Sequence, residues 1–220
     1  MSEKLDNSLF TQSQIELEAR DKKRLETFID AVFAIAITLL GLGFAAPVVW
    51  YSNEALMRSL MGIAPKFAGY FLAFALVGIL LNNNWRQFQN IAYANWVLYF
   101  INILFLSFVV LVPFATAVWT AYLDTTPGVL VFHGVMFITG IILYANWVYV
   151  RWRPYLLKKD VTGQTLKEIA YRDVSIPSAS ALAIVLAFIS PILSNASYLL
   201  IVVIMTMAMR HGHKRRTSHG

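Results

Sequence analysis

Apolar runs long enough to cross a bilayer alternate with short polar segments along almost the whole chain. A span needs about 20 apolar residues, and the pattern predicts six. The first covers residues 28–50, ending at Pro47 and an interfacial Trp50-Tyr51 pair. The second covers 64–82, and the third 94–122 with Pro113 inside it. A proline there is tolerated where neighbouring helices satisfy the freed carbonyl. The fourth, 129–150, closes in an aromatic belt of Trp147, Tyr149, Trp152 and Tyr155. The uncharged stretch after Val174 is too long for one helix. Pro191 and the Ser194-Asn195-Ala196 turn divide it into short spans over 176–192 and 197–209. Residues 1–22 are polar and read as a disordered start followed by a short helix from about Gln12.

Charge tests the six-span pattern. Of the 18 Lys and Arg residues, all but Arg58 and Lys66 fall on one side. This positive-inside bias places both termini in the cytoplasm. The chain then divides into a cytoplasmic segment (1–23), a transmembrane domain (24–209) and a basic cytoplasmic tail (210–220). With 58% hydrophobic and 14% charged residues in a 220-residue chain and a mean hydropathy of +0.61, this is an all-α polytopic membrane protein without a separate soluble domain. The net charge of +6 is accounted for by the RWRPYLLKK loop and the HKRR tail. Both are expected to touch anionic lipid headgroups, not nucleic acid. The first apolar run is not read as a signal peptide, because about 30 polar residues precede it and Asp30 opens it.

Little in the chain suggests enzyme chemistry. It has no cysteine, HExxH, nucleophile elbow or glycine-rich phosphate loop. Asp30 reads as the only acid near the membrane interior. His133, the one histidine inside a span, reads as packed or interfacial. His211, His213 and His219 read as a solvated tail rather than a metal site, and no cofactor is expected. A TVGYG-like loop, which would supply a ring of backbone carbonyls, is also absent. Any ion selectivity must therefore come from side chains or a hydrophobic constriction.

The first span offers such a face. Ile35, Thr38, Leu39 and Leu42 stand at i, i+3, i+4 and i+7 and form one narrow stripe. Around an axis of identical helices, the stripe becomes stacked apolar rings interrupted by a ring of hydroxyls. The alternative is ordinary helix packing, with the Thr38 hydroxyl bonded to a backbone carbonyl. Ala31, Ala34 and Ala36 lie around the opposite face, where small residues permit close helix contact. Asp30 stands about 140° round the wheel from Ile35. It is expected to face helices of its own subunit and to find a hydrogen-bonding partner there. Arg24 and Phe28 fall near the stripe if the helix is unbroken.

Arg24-Leu25-Glu26-Thr27-Phe28-Ile29-Asp30, running into AVFAIAITLL, resembles the R-x-x-x-F-S-D signature and first helix of the transmembrane protein 175 potassium channels in their short prokaryotic form. Residues 42–47, NNNWRQFQNI after span two and FINILFLSFVVLVPFATAVW in span three are similar to that family as well. The resemblance covers most of 24–120. It implies a homotetramer of six-helix subunits in a prokaryotic cell membrane, with first helices lining a pore for potassium and other monovalent cations. On that pattern Ile35 is the constriction, Leu39 and Leu42 are further apolar layers, and Thr38 carries the potassium preference. Arg24, Phe28 and Asp30 would belong to the network that holds the first helix. Ile29 replaces the signature serine, Asn84 and Trp85 stand where a histidine pair is common, and Gly43 stands where an acid is common.

Two functions follow. The leading one is passive, potassium-preferring cation conduction through a pore with a hydrophobic constriction and no carbonyl filter. The alternative is a secondary transporter, in one form proton-coupled. It is disfavoured by the absence of a second R-x-x-x-F-x-D and of a midplane acid.

Overall fold

A computed structural model of the chain describes residues 2–42 and 52–198. Five long helices carry the fold: α1 (Ser2–Leu42), α2 (Asn53–Asn90), α3 (Trp96–Ala121), α4 (Thr126–Arg151) and α5 (Gly163–Ala187). A short α6 (Pro191–Ser194) runs into a 3-10 turn at Asn195–Tyr198. Each of the five contains a stretch long and apolar enough to cross a membrane, in α1 over Ala19–Leu42.

The helix starts follow local chemistry. Asn95 accepts from the Leu98 amide at 3.0 Å, Thr125 from Gly128 at 3.2 Å and Thr162 from Thr165 at 3.2 Å. Such caps satisfy amides that a helix leaves orphaned at its first turn. The Thr162 cap corrects the sequence reading of span five. That helix begins at Gly163, well before residue 176, and ends at Ala187. Ser190 then caps a new start with Pro191 at its first turn. At the other end of the chain, the predicted disordered start and separate short helix are instead one helix continuous with the first span. Span two is also longer than predicted, since α2 continues through the polar NNNWRQFQN segment. The proposed end of span one (43–50, with Tyr51), residues 199–209 of span six and the basic tail lie outside the described residues.

Packing is centred on α4, which lies against α3 and α5, while α1 packs on α2 and α3. Trp119 stacks on Phe132 with ring centroids 4.5 Å apart and 17° between planes, joining α3 to α4. Phe33 meets Phe105 at 5.8 Å, joining α1 to α3. On α4, Gly140 lies so close to Pro177 of α5 that an added Cβ would fall 2.6 Å from the Pro177 Cδ. Glycine permits this approach because it has no side chain to displace the neighbouring helix. The connections are joined as well. Ala92 donates to the Leu156 carbonyl at 2.7 Å and Lys158 to the Asn90 carbonyl at 3.0 Å, tying the α2–α3 link to the α4–α5 link.

Candidate functional site

α1 has two unlike faces. Leu25, Ile29, Phe33, Ala36 and Leu40 enter the core and are at most 5% exposed. Their spacing of four, four, three and four residues follows the helical period. Ile29, standing where the signature has serine, is part of this buried apolar face, so a branched hydrocarbon packs where a hydroxyl would have needed a partner. Of the three alanines expected to pack, Ala36 does so, whereas Ala31 and Ala34 are exposed in the single chain. The other buried residues of this face, Leu25, Ile29, Phe33 and Leu40, carry larger side chains.

The other face is the predicted stripe. Phe28 is 46% exposed, Ile35 56%, Leu39 38% and Leu42 77%. Thr38 lies among them and donates its hydroxyl hydrogen to the Ile35 carbonyl at 2.8 Å. This is the backbone bond that the packing alternative expected. It also commits the only hydrogen on the oxygen, so the remaining lone pairs are free to accept.

Arg24, Phe28 and Asp30 do not converge. Asp30 accepts from the Trp85 indole nitrogen at 2.6 Å, which gives it a partner on its own subunit as the wheel argument expected. Arg24 and Phe28 lie round the helix and line a groove of about 540 Å³ with Asp21, Ala94, Asn95, Trp96 and Tyr99. Trp85 thus fills one position of the expected histidine pair with a donor for Asp30. Asn84 fills the other and is 1% exposed.

Sequence reasoning missed one acid. Asp173 is 1% exposed and lies inside α5, which overturns the reading that Asp30 is the only acid near the membrane interior. Gln87 donates to its Oδ2 at 2.8 Å. A signal was present: Leu166, Ile169, Asp173, Ile176 and Ser180 follow helical spacing, placing an acid on an apolar stripe. His133, by contrast, is packed as expected. Its ring nitrogens lie 2.9 Å from the Tyr198 hydroxyl and 2.9 Å from Ser194 Oγ. Ser194 donates its own hydrogen to the Pro191 carbonyl at 2.6 Å. Nε2 therefore donates to Ser194, and Nδ1 accepts from Tyr198.

The family model described as the endosomal/lysosomal potassium channel TMEM175 matches residues 24–113, beginning at Arg24 of the signature. A potassium channel of Streptomyces collinus is 31% identical over 179 residues, which cover 80% of this chain and 86% of that relative. The chain belongs to the TMEM175 family. A potassium channel of Chamaesiphon minutus is 29% identical over 183 residues, covering 80% of this chain and 89% of its own. The crystal structure of a lysosomal potassium-selective channel TMEM175 homolog from Chamaesiphon minutus matches with a TM-score of 0.73 at 25% identity. That match covers 86% of this chain and 98% of the other. As a TMEM175 member with five apolar helices of membrane-spanning length, the chain is a multi-pass membrane protein of an ion-channel family rather than an enzyme family. The transporter alternative is withdrawn on the same ground, and not on the supposed lack of a buried acid, which Asp173 removes.

Proposed function

We propose that this chain is one subunit of a homotetrameric, potassium-preferring monovalent cation channel in a prokaryotic cell membrane. Four α1 helices line its pore. One observation carries this reading: the apolar stripe of α1 is left uncovered by the chain's own core. Its helical register brings one hydroxyl among apolar side chains. One chain cannot enclose a channel with one helix face, so copies must pool their first helices.

In that assembly Ile35 forms the constriction, with Leu39 and Leu42 as further apolar rings that empty of water when narrow. Thr38 presents oxygen lone pairs to a partly dehydrated cation, because its hydrogen is held by the Ile35 carbonyl. Arg24 and Phe28 stand at the cytoplasmic mouth, and Asp30 anchors α1 to α2 through Trp85. The lysine and arginine bias supports cytoplasmic termini and contact of the basic loop with anionic lipid headgroups.

The reversal potential of purified protein in liposomes under opposed potassium and sodium gradients tests the function. A potential displaced toward the potassium equilibrium value is expected. Absence of any cation flux would remove the channel reading.

A further inference from the structure

Two opposite charges stand side by side on α1, Arg20 and Asp21, and both are exposed. They lie where the stretch of α1 long enough to cross a membrane begins, at Ala19. Among the described residues neither makes an ion pair, the pairs there being Lys22–Glu26 and Arg58–Glu54.

Their directions on the helix differ. α1 is one helix from Ser2 to Leu42, so a wheel of about 100° per residue relates its two ends. On that wheel Arg20 and Asp21 stand about 50° to either side of the mean direction of Ile35, Thr38, Leu39 and Leu42. When four copies turn this stripe toward a common axis, each helix has its two neighbours about 90° apart, one on each side of the axis direction. Consecutive residues, about 100° apart, meet that requirement. Arg20 then faces one neighbour and Asp21 the other, at heights about 1.5 Å apart.

The two sides also differ in shape. On the Asp21 side lies the groove of about 540 Å³, lined from α1 by Asp21, Arg24, Leu25 and Phe28 and from α3 by Trp96 and Tyr99. Its α1 residues centre about 40° from the axis direction, so the groove opens toward that neighbour. Its rings are uncovered: Phe28 is 46% exposed, Trp96 72% and Tyr99 47%. On the Arg20 side the helix is slender. Thr27 and Ala31 are exposed there, within about 20° of the Arg20 direction.

An acid beside three bare rings suits a guanidinium, which matches a carboxylate with two parallel donors and stacks on aromatic faces. Arg24 of the same helix does not take this place. It stands within about 10° of the axis direction and so faces the pore mouth.

Resting on the tetramer reading above, we propose that the groove receives Arg20 of the neighbouring subunit, which pairs with Asp21. Four such pairs close a ring at the N-terminal end of the pore stripe. The contact is heterologous: each copy inserts its Arg20 side and receives at its Asp21 side, and the rotation closes the ring.

Two differently tagged charge variants of the full-length protein test this, read as the mass of the detergent-solubilised assembly. Asp21→Arg carries two cations at the contact and Arg20→Asp two acids. Either variant alone sets like charges together at every contact and should lose the tetramer that the wild-type chain forms. Co-expressed, the two should assemble again with both tags in one tetramer and two copies of each, because alternation joins Arg to Asp at every contact. Variants that form tetramers unaided overturn the proposal. A loss that co-expression does not restore also overturns it, and would assign Arg20 to a lipid phosphate. Should either variant fail to accumulate, Arg20→Gln and Asp21→Asn decide. The double neutral variant should weaken the tetramer against dilution no more than either single one, and additive losses overturn the ring. A wild-type chain that is not a tetramer overturns the tetramer reading itself, a result distinct from wild-type tetramers whose variants assemble unaided.

Discussion

Trp85 of α2 donates its indole N–H to Asp30 of α1 at 2.6 Å, so the helix bearing the uncovered stripe is tied to α2 near the turn where Phe33 enters the core. An acid in this position needs such a donor, since a charged group beside hydrocarbon is expensive. The tryptophan stands where the family resemblance led one to expect a histidine. It fills the donor role with a group that does not change charge between mildly acidic and neutral pH.

Trp85→Phe keeps the ring and loses the donor. It should lower stability by about 1 kcal/mol, the scale of an interhelical hydrogen bond in a membrane protein. Asp30→Ala should cost a similar amount, and the double variant little more than either alone. Thermal unfolding in detergent measures all three, and additive losses would show that the bond contributes nothing.

Ile35 and Ile29 lie on the same helix about 120° apart, and they are 56% and 1% exposed. Ile35→Asn should therefore leave the subunit folded and raise cation leak through liposomes several-fold. Ile29→Asn should instead bury an unpartnered amide and reduce folded yield. Unchanged leak in a well-folded Ile35→Asn protein would move the constriction elsewhere.

Thr38→Ala removes the hydroxyl from a surface of the subunit, so the stability change should stay within about 0.5 kcal/mol. The reversal potential under opposed gradients should move toward zero as potassium preference falls, and Thr38→Ser should restore it. A selectivity indifferent to both changes would exclude Thr38 as its source.

Gly140→Ala drives a methyl group against Pro177, whose ring Cδ and nitrogen would stand 2.6 and 3.0 Å away. Overpacking of this kind costs about 1–3 kcal/mol. Gly134→Ala on the same helix meets nothing within 4 Å and serves as the control. Equal melting temperatures for the two variants would contradict the close approach of α4 and α5.

The stripe on α1 was legible because it depends on one helix alone. The 3.6-residue period fixes which residues share a face whatever surrounds them, and Ile35, Thr38, Leu39 and Leu42 are found together as read. Asp173 was not legible in the same way. Starting span five at residue 176 left the acid in a loop, and the Thr162 cap that moves the start back to Gly163 is a weak local signal. The Ile29 substitution was visible in the sequence, but only its burial shows that the hydroxyl is replaced by core packing.

By itself, the sequence determined the membrane class, the rough placement of the first five apolar helices and the two faces of α1, because hydrophobicity and helical period are local properties. The tertiary structure decided the partners. Trp85 meets Asp30 across 55 positions of chain, and Gln87 meets Asp173 across 86. Such pairings are set by how helices pack against one another, and a buried polar group is satisfied or orphaned only once that packing exists.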